Sequence, residues 1–138
     1  MSTPRPDAYA ALLGVEVRRA AEAHAEARLQ VKPSHLNPHG TAHGALIYSL
    51  AGIALAAAAN DRKHSGIVSA VHIDYLQPAR TGDDLLAAAH VAERLANEDV
   101  FVVRVTSGTD LIARATARAT RRERGSSARP RSRSTPTP

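Results

Sequence analysis

One apolar segment, Ala42 to Asn60, does most to limit what this chain can fold into. It reads Ala-His-Gly-Ala-Leu-Ile-Tyr-Ser-Leu-Ala-Gly-Ile-Ala-Leu-Ala-Ala-Ala-Ala-Asn and lacks the strict alternation of a half-buried strand. Its length and alanine content favour one helix over two strands. Because it is apolar nearly all round, it is expected to sit buried at the centre of a domain. Its longest unbroken apolar run, Ala51 to Ala59, is too short to cross a bilayer, so no membrane partner is expected.

The rest of the chain reads mainly as strands. Asp7 to Leu13 is a short helix, with Asp7 as N-cap and Gly14 as its stop. Val15 to Ala20 reads as a strand. In Ala23 to Val31, Ala23, Ala25, Ala27, Leu29 and Val31 fall on one face and His24, Glu26, Arg28 and Gln30 on the other. That period of two indicates a strand, although the alanine and glutamate would also suit a helix. Asp61 to Gly66 is a polar turn. Ile67 to Leu76, Leu85 to Leu95, Val100 to Ser107 and Leu111 to Thr120 complete a run of four strands. One long helix followed by consecutive strands predicts an α+β fold, an antiparallel sheet wrapped around that helix.

A chain of 138 residues fits one domain. Aromatics make up only 3%, so alanine carries much of the core, and small residues bury little area each. A monomer of this make-up is marginal, which favours oligomerisation. No cysteine is present, which excludes disulfides, thiolate metal sites and cysteine nucleophiles. Met1 to Asp7 has no basic-then-apolar leader pattern, and the expected compartment is the cytoplasm. The net charge of +5 is localised: Arg121, Arg122, Arg124, Arg129, Arg131 and Arg133 against Glu123 account for all of it. Residues 1–120 are therefore expected to form the domain and residues 121–138 a disordered basic tail. With no aromatic residue among those arginines there is no stacking platform, and no nucleic-acid partner is expected.

The stretch that carries chemistry runs from Leu36 to Ala45, Leu-Asn-Pro-His-Gly-Thr-Ala-His-Gly-Ala, and leads into Leu50-Ala51-Gly52-Ile53-Ala54. A polar loop thus feeds the start of the buried helix. The first N–H groups of a helix lack internal partners and carry the positive end of its dipole. Such an end stabilises the oxyanion formed when a carbonyl is attacked. Gly44 lets a carbonyl oxygen approach its N–H closely, and the Asn37 amide can orient a water or a carbonyl.

These residues resemble the hotdog-fold acyl-CoA thioesterases of the phenylacetate-degradation (PaaI-like) type. Their motif is an Asn-Gly-His-like loop, then His-Gly-Gly, then Leu-Ala-Asp on the helix. The resemblance spans roughly Leu12 to Arg121 and is ungapped from Asn37 to Asn60; Ser69 to Pro78 resembles the next strand and Thr109 to Arg121 the last one. It implies that Asn37 sits near the thioester, that His43 and Gly44 match His-Gly, and that the Gly44 N–H polarises the carbonyl. Ala45 replaces the second glycine. Eight positions after Gly44 the family places a catalytic Asp or Glu; here that position is Gly52.

Gly52 can be neither base nor nucleophile. It marks either close packing against a neighbour or a lost carboxylate that leaves room, and the two readings are compatible. His39, His43, Ser69, His72 and Asp74 are the candidates for a substitute. His39 and His43 would share a helical face if the helix began early, but no third ligand accompanies them, so no metal is expected. His43 is read as bonding loop backbone at the helix entrance. His72 and Asp74 share a strand face and could orient a base, or stand solvated on the outside. Ser69 could hold a water. His39, Ser69 and His72 are taken as substrate-binding candidates.

Three functions remain open. The chain hydrolyses an acyl-CoA or acyl-carrier thioester with a non-carboxylate base, binds such a thioester without efficient hydrolysis, or acts on another thioester by different chemistry. No cofactor is expected. The resemblance implies a homodimer or a homotetramer (dimer of dimers) with active sites at the interface. Arg62, Lys63, Arg80 and Arg114 are possible contacts for CoA phosphates.

Overall fold

In the computed structural model, which describes residues 6–125, the order is α1 (Ala8–Leu13), β1 (Glu16–Ala21), β2 (His24–Gln30), a 3-10 turn (Pro33–His35), α2 (Gly44–Ala59), β3 (His64–Ser65), β4 (Val68–Tyr75), β5 (Asp84–Arg94), β6 (Glu98–Ser107), β7 (Asp110–Thr120) and β8 (Arg122–Glu123). Asp7 Oδ1 accepts the Ala10 N–H at 2.9 Å and Gly14 closes α1 in the left-handed conformation at φ 79°, as the cap residues predict.

The six long strands form one antiparallel sheet in the order β1-β2-β5-β6-β7-β4. The α2 helix lies across its inner face. That face is surfaced by alanines, among them Ala25, Ala27, Ala87, Ala89, Ala113, Ala115, Ala117 and Ala119, all buried. Small side chains there let Leu46, Ile47, Leu50, Ile53 and Leu55 of α2 seat close to the sheet. Leu50, Leu55 and Phe101 are fully buried, each contributing roughly 1.5–3 kcal/mol.

Three expectations need correction. The α2 helix is not buried all round: Ala45, Tyr48 and Ala56 are exposed and Gly52 half-buried along one stripe. A single sheet covers one side of a helix and leaves the opposite stripe open. Second, Asp61 to Gly66 is more than a turn, because His64 and Ser65 pair with Glu123 and Arg122. Third, order does not stop at residue 120. Arg121 donates to the carbonyls of Leu95 (2.6 Å) and Ala96 (3.2 Å) and to the Asp99 carboxylate, and Arg124 donates to the His64 carbonyl at 2.9 Å. Backbone carbonyls and the buried Asp99 carboxylate hold these arginines in spite of their tail-like composition. Residues 126–138, the greater part of the expected tail, lie outside the described residues.

Candidate active site

The loop before α2 is built around Asn37. Its Oδ1 accepts the N–H groups of His39 (2.9 Å) and Thr41 (3.2 Å), and its Nδ2 donates to Thr41 Oγ1 at 2.9 Å. The acceptor side of the amide is thus spent on shaping the loop, and one Nδ2 hydrogen stays available for a ligand. The Ala42 N–H bonds the Ala79 carbonyl at 2.8 Å, which ties this loop to the segment after β4.

His43 is the N-cap of α2. Its Nδ1 accepts the Ala45 N–H at 3.0 Å, and its own N–H bonds the His35 carbonyl at 2.9 Å. This hydrogen bond assigns the neutral ring proton to Nε2. His43 can act as a base only by giving up the cap. The structural role read for it from sequence is the one its geometry supports.

Capping leaves the Gly44 N–H as the donor at the helix start with no protein acceptor among the described residues. Gly44 lines a groove of about 360 Å3 together with Asn37, Ile47, Tyr75, Gln77 and Pro78. Tyr75, at the end of β4, donates to the Gly44 carbonyl at 3.0 Å. Burial first, and the Tyr48 phenol second, push the Tyr75 hydroxyl above its ordinary pKa. At neutral pH it is therefore protonated, a donor and not a base. Sequence reasoning passed over Tyr75; its signal was a tyrosine two residues before Gln77-Pro78 in a chain with few aromatics.

An added side chain at Gly52 would meet nothing within 4 Å. Close packing within this chain does not explain this glycine, and the stripe it interrupts stands open. With a rise of 1.5 Å per residue, Gly52 lies about 12 Å along α2 from Gly44. One acyl carbon cannot touch both positions of the same chain.

The remaining candidates do not gather at the groove. His39 is exposed, and only its backbone meets Asn37. Because α2 begins at Gly44, His39 and His43 share no helical face. Ser69 is exposed at an irregular step in the β4–β7 pairing and donates to the Arg118 carbonyl at 3.2 Å. His72 and Asp74 are 3.1 Å apart, but alternation from Tyr75 puts them on the outer face, with the His72 side chain 72% exposed. Arg114 joins them there, 3.5 Å from Asp74. Arg62 and Lys63 lie past the far end of α2. Also at that end, Glu22, Asp61 and His64 bring ligand atoms within 4.8 Å of one another. Lys63 (3.5 Å) and Arg94 (3.8 Å) already face Glu22, and Asp61 accepts from three backbone N–H groups, which describes an ion-paired brace.

The family described as the thioesterase superfamily has a model that matches residues 39–114. The chain is 33% identical over 101 residues to acyl-coenzyme A thioesterase PaaI of Escherichia coli K12, covering 73% of this chain and 72% of that protein. The solved structure of E. coli PaaI superposes with a TM-score of 0.80 at 30% identity, covering 84% of this chain and 85% of that one. A mutant of the phenylacetic acid degradation protein PaaI from Thermus thermophilus gives 0.78 at 31% identity, covering 83% and 98%.

Proposed function

The chain belongs to the thioesterase superfamily and has the hotdog fold, and from that premise we propose that it hydrolyses an acyl-CoA or acyl-carrier thioester. The observation that carries this reading is the Gly44 N–H, left without an acceptor among the described residues at the start of the 16-residue helix α2, in a residue that lines a groove. Water adds to the thioester carbon and the carbonyl oxygen becomes an oxyanion held by that N–H and the helix dipole. The tetrahedral centre then collapses, the C–S bond breaks, and the leaving thiolate takes up the proton given off by the attacking water, giving acid and thiol. The spare Asn37 Nδ2 hydrogen is placed to hold the water or the carbonyl. No cofactor is needed for this step.

The separation of Gly44 from Gly52 supports a site shared by two copies of the chain. In the sheet, β4 pairs with β7 on one side and ends the sheet on the other. Pairing of two β4 edges would set the Gly44 end of one α2 against the Gly52 stripe of its partner. The proposed assembly is a homodimer, or a dimer of dimers, acting in the cytoplasm on a thioester substrate. No helix among the described residues is long and apolar enough to cross a membrane.

A second reading is carried by Gly52: the protein binds the thioester and hydrolyses it poorly, because the helix lacks a carboxylate. Thiol release from acyl-CoA, followed with a thiol-reactive dye, separates the two. Turnover by the unaltered chain that changes little in Gly52→Asp supports hydrolysis with a substitute base. Turnover that emerges only in Gly52→Asp supports the binding protein. Absence of both turnover and thioester binding in either form defeats both.

A further inference from the structure

Gly52 leaves the attacking water of the proposed reaction without a carboxylate to hold it. Along α2 only Tyr48 and Ser49 carry a polar side chain. Tyr48 stands by Tyr75, whose hydroxyl pKa it helps to raise, and so belongs to the groove at Gly44. Ser49 comes three residues before Gly52. At that spacing two positions share a helix face, with Cβ atoms about 5–6 Å apart. Ser49 and Gly52 are both half-buried on it.

A serine inside a helix commonly returns its hydroxyl to a carbonyl of the preceding turn or gives it to water. The Ser49 Oγ lies instead 2.9 Å from the Tyr9 hydroxyl of α1. Among the described residues this is the one hydrogen bond that either hydroxyl makes. Either oxygen can be the donor, and a mutual bond leaves one O–H and several lone pairs of the pair free. Tyr9 also lines a cavity of about 670 Å3 with Val17, Ile53, Ala56 and Ala57. The pair therefore has open space beside it, and an ordered water needs both room and polar partners. The carboxylates on that cavity are engaged elsewhere. Asp7 caps α1, and Asp61 takes the N–H groups of Ala23, Lys63 and His64.

We propose that the Ser49–Tyr9 hydroxyl pair holds the hydrolytic water that a carboxylate at position 52 would otherwise hold. The proposal rests on the thioester reading above and deepens it: the pair lies on the Gly52 stripe and serves the Gly44 amide of the partner copy. A free lone pair on Ser49 Oγ accepts one O–H of the water and turns the water's own lone pair toward the acyl carbon. The water oxygen bonds that carbon, the C–S bond breaks, and the water's proton ends on the departing sulfur. Both hydroxyls finish as they began, and Asn37 Nδ2 is left to the carbonyl oxygen.

The full-length protein is assayed by thiol release on acetyl-CoA, hexanoyl-CoA and benzoyl-CoA, beside Ser49→Ala, Tyr9→Phe, Asp7→Asn and the double variant Ser49→Ala with Gly52→Asp. The expected result is a kcat lowered about tenfold or more in Ser49→Ala and several-fold in Tyr9→Phe, with KM within about twofold. The double variant is expected to recover about half or more of the original kcat, because a carboxylate in the open space takes over the water. A pair that only staples α1 to α2 would shift urea midpoints and would not be rescued by an acid at position 52, so a kcat loss without rescue overturns the inference. So does full turnover in both hydroxyl variants, which leaves the hydrolysis reading standing. Loss of turnover in Asp7→Asn alone assigns the water to that carboxylate and equally overturns the inference. If the unaltered chain turns over none of the thioesters, the hydrolysis reading itself fails and the inference falls with it.

Discussion

The Tyr75 hydroxyl donates to the Gly44 carbonyl at 3.0 Å, so the last residue of β4 is latched to the first residue of α2. The latch fixes the groove wall relative to the free N–H of that same glycine. Tyr75→Phe keeps the ring and removes the bond. The expected cost is about 1 kcal/mol in urea unfolding, with a several-fold fall in thioester kcat/KM as the wall loosens. An activity loss without any change in stability would show that the hydroxyl meets the substrate and is not acting as a latch.

Gly44 itself separates folding from chemistry. A methyl group there would come no closer than 3.5 Å to the Tyr75 ring, an ordinary contact. Gly44→Ala is therefore expected to fold with unchanged or slightly higher stability and to lose at least about tenfold in kcat/KM, because the methyl crowds the carbonyl approach to the amide. Thermal unfolding and a thiol-release assay on the same preparation check both halves.

The N-cap gives a graded test. His43→Ala removes the acceptor for the Ala45 N–H and is expected to cost about 1 kcal/mol, and His43→Asn should restore most of it, because asparagine caps well. Activity should follow stability through the pair, as expected for a residue that positions the helix start. If His43→Asn is fully stable and inactive, the imidazole takes part in the chemistry directly.

Much of this was legible in the sequence. Alternation in Ala23 to Val31 and Leu111 to Thr120 located two strands, and the apolar segment Ala42 to Asn60 located α2 to within two residues at its start and one at its end. The cap residues Asp7 and Gly14 act as read. The pairing of β3 with β8 was not legible: two residues on each side have no period, and their partners lie 57 or more positions apart. The exposed stripe of α2 was hidden because Ala45 and Ala56 are as apolar as the residues they flank, so the helix shows little amphipathic signal. Strand alternation already favoured a solvated outer face for His72 and Asp74, and the His72 side chain is 72% exposed; the Tyr75–Gly44 bond shows that the opposite parity faces the helix.

Asp61 makes the fold acid-sensitive. Its burial acts to raise its pKa, but the N–H groups of His64 and Lys63 and the charge and hydrogen bond of the His64 imidazole outweigh that, and the net direction is below the ordinary carboxylate value. A depressed folded pKa contributes stability that is present above the unfolded carboxylate pKa and is lost as pH falls through the folded value. The expected window is below about pH 4. Asp61→Asn should be less stable at neutral pH by about 2 kcal/mol and show a shallower loss of stability below pH 4. Parallel acid profiles for the two proteins would remove Asp61 as the source.

Gly66 and Gly52 make opposite predictions from the same residue type. A methyl at Gly66 would overlap the Thr120 carbonyl oxygen and come within 3.2 Å of the Ala59 carbonyl oxygen, both fixed backbone atoms. The chain between α2 and β4 has to pass between the end of that helix and β7, and only a residue without a side chain fits. Gly66→Ala is expected to destabilise by about 2–3 kcal/mol. At Gly52 the helix interior is regular and nothing lies within 4 Å, so Gly52→Ala gains helix propensity with no clash and should stabilise by up to about 1 kcal/mol. Urea midpoints measured at one protein concentration check both. If Gly52→Ala stabilises the monomer yet weakens self-association in sedimentation, the open space at Gly52 is filled by the partner copy, and the stripe is the face on which two helices meet.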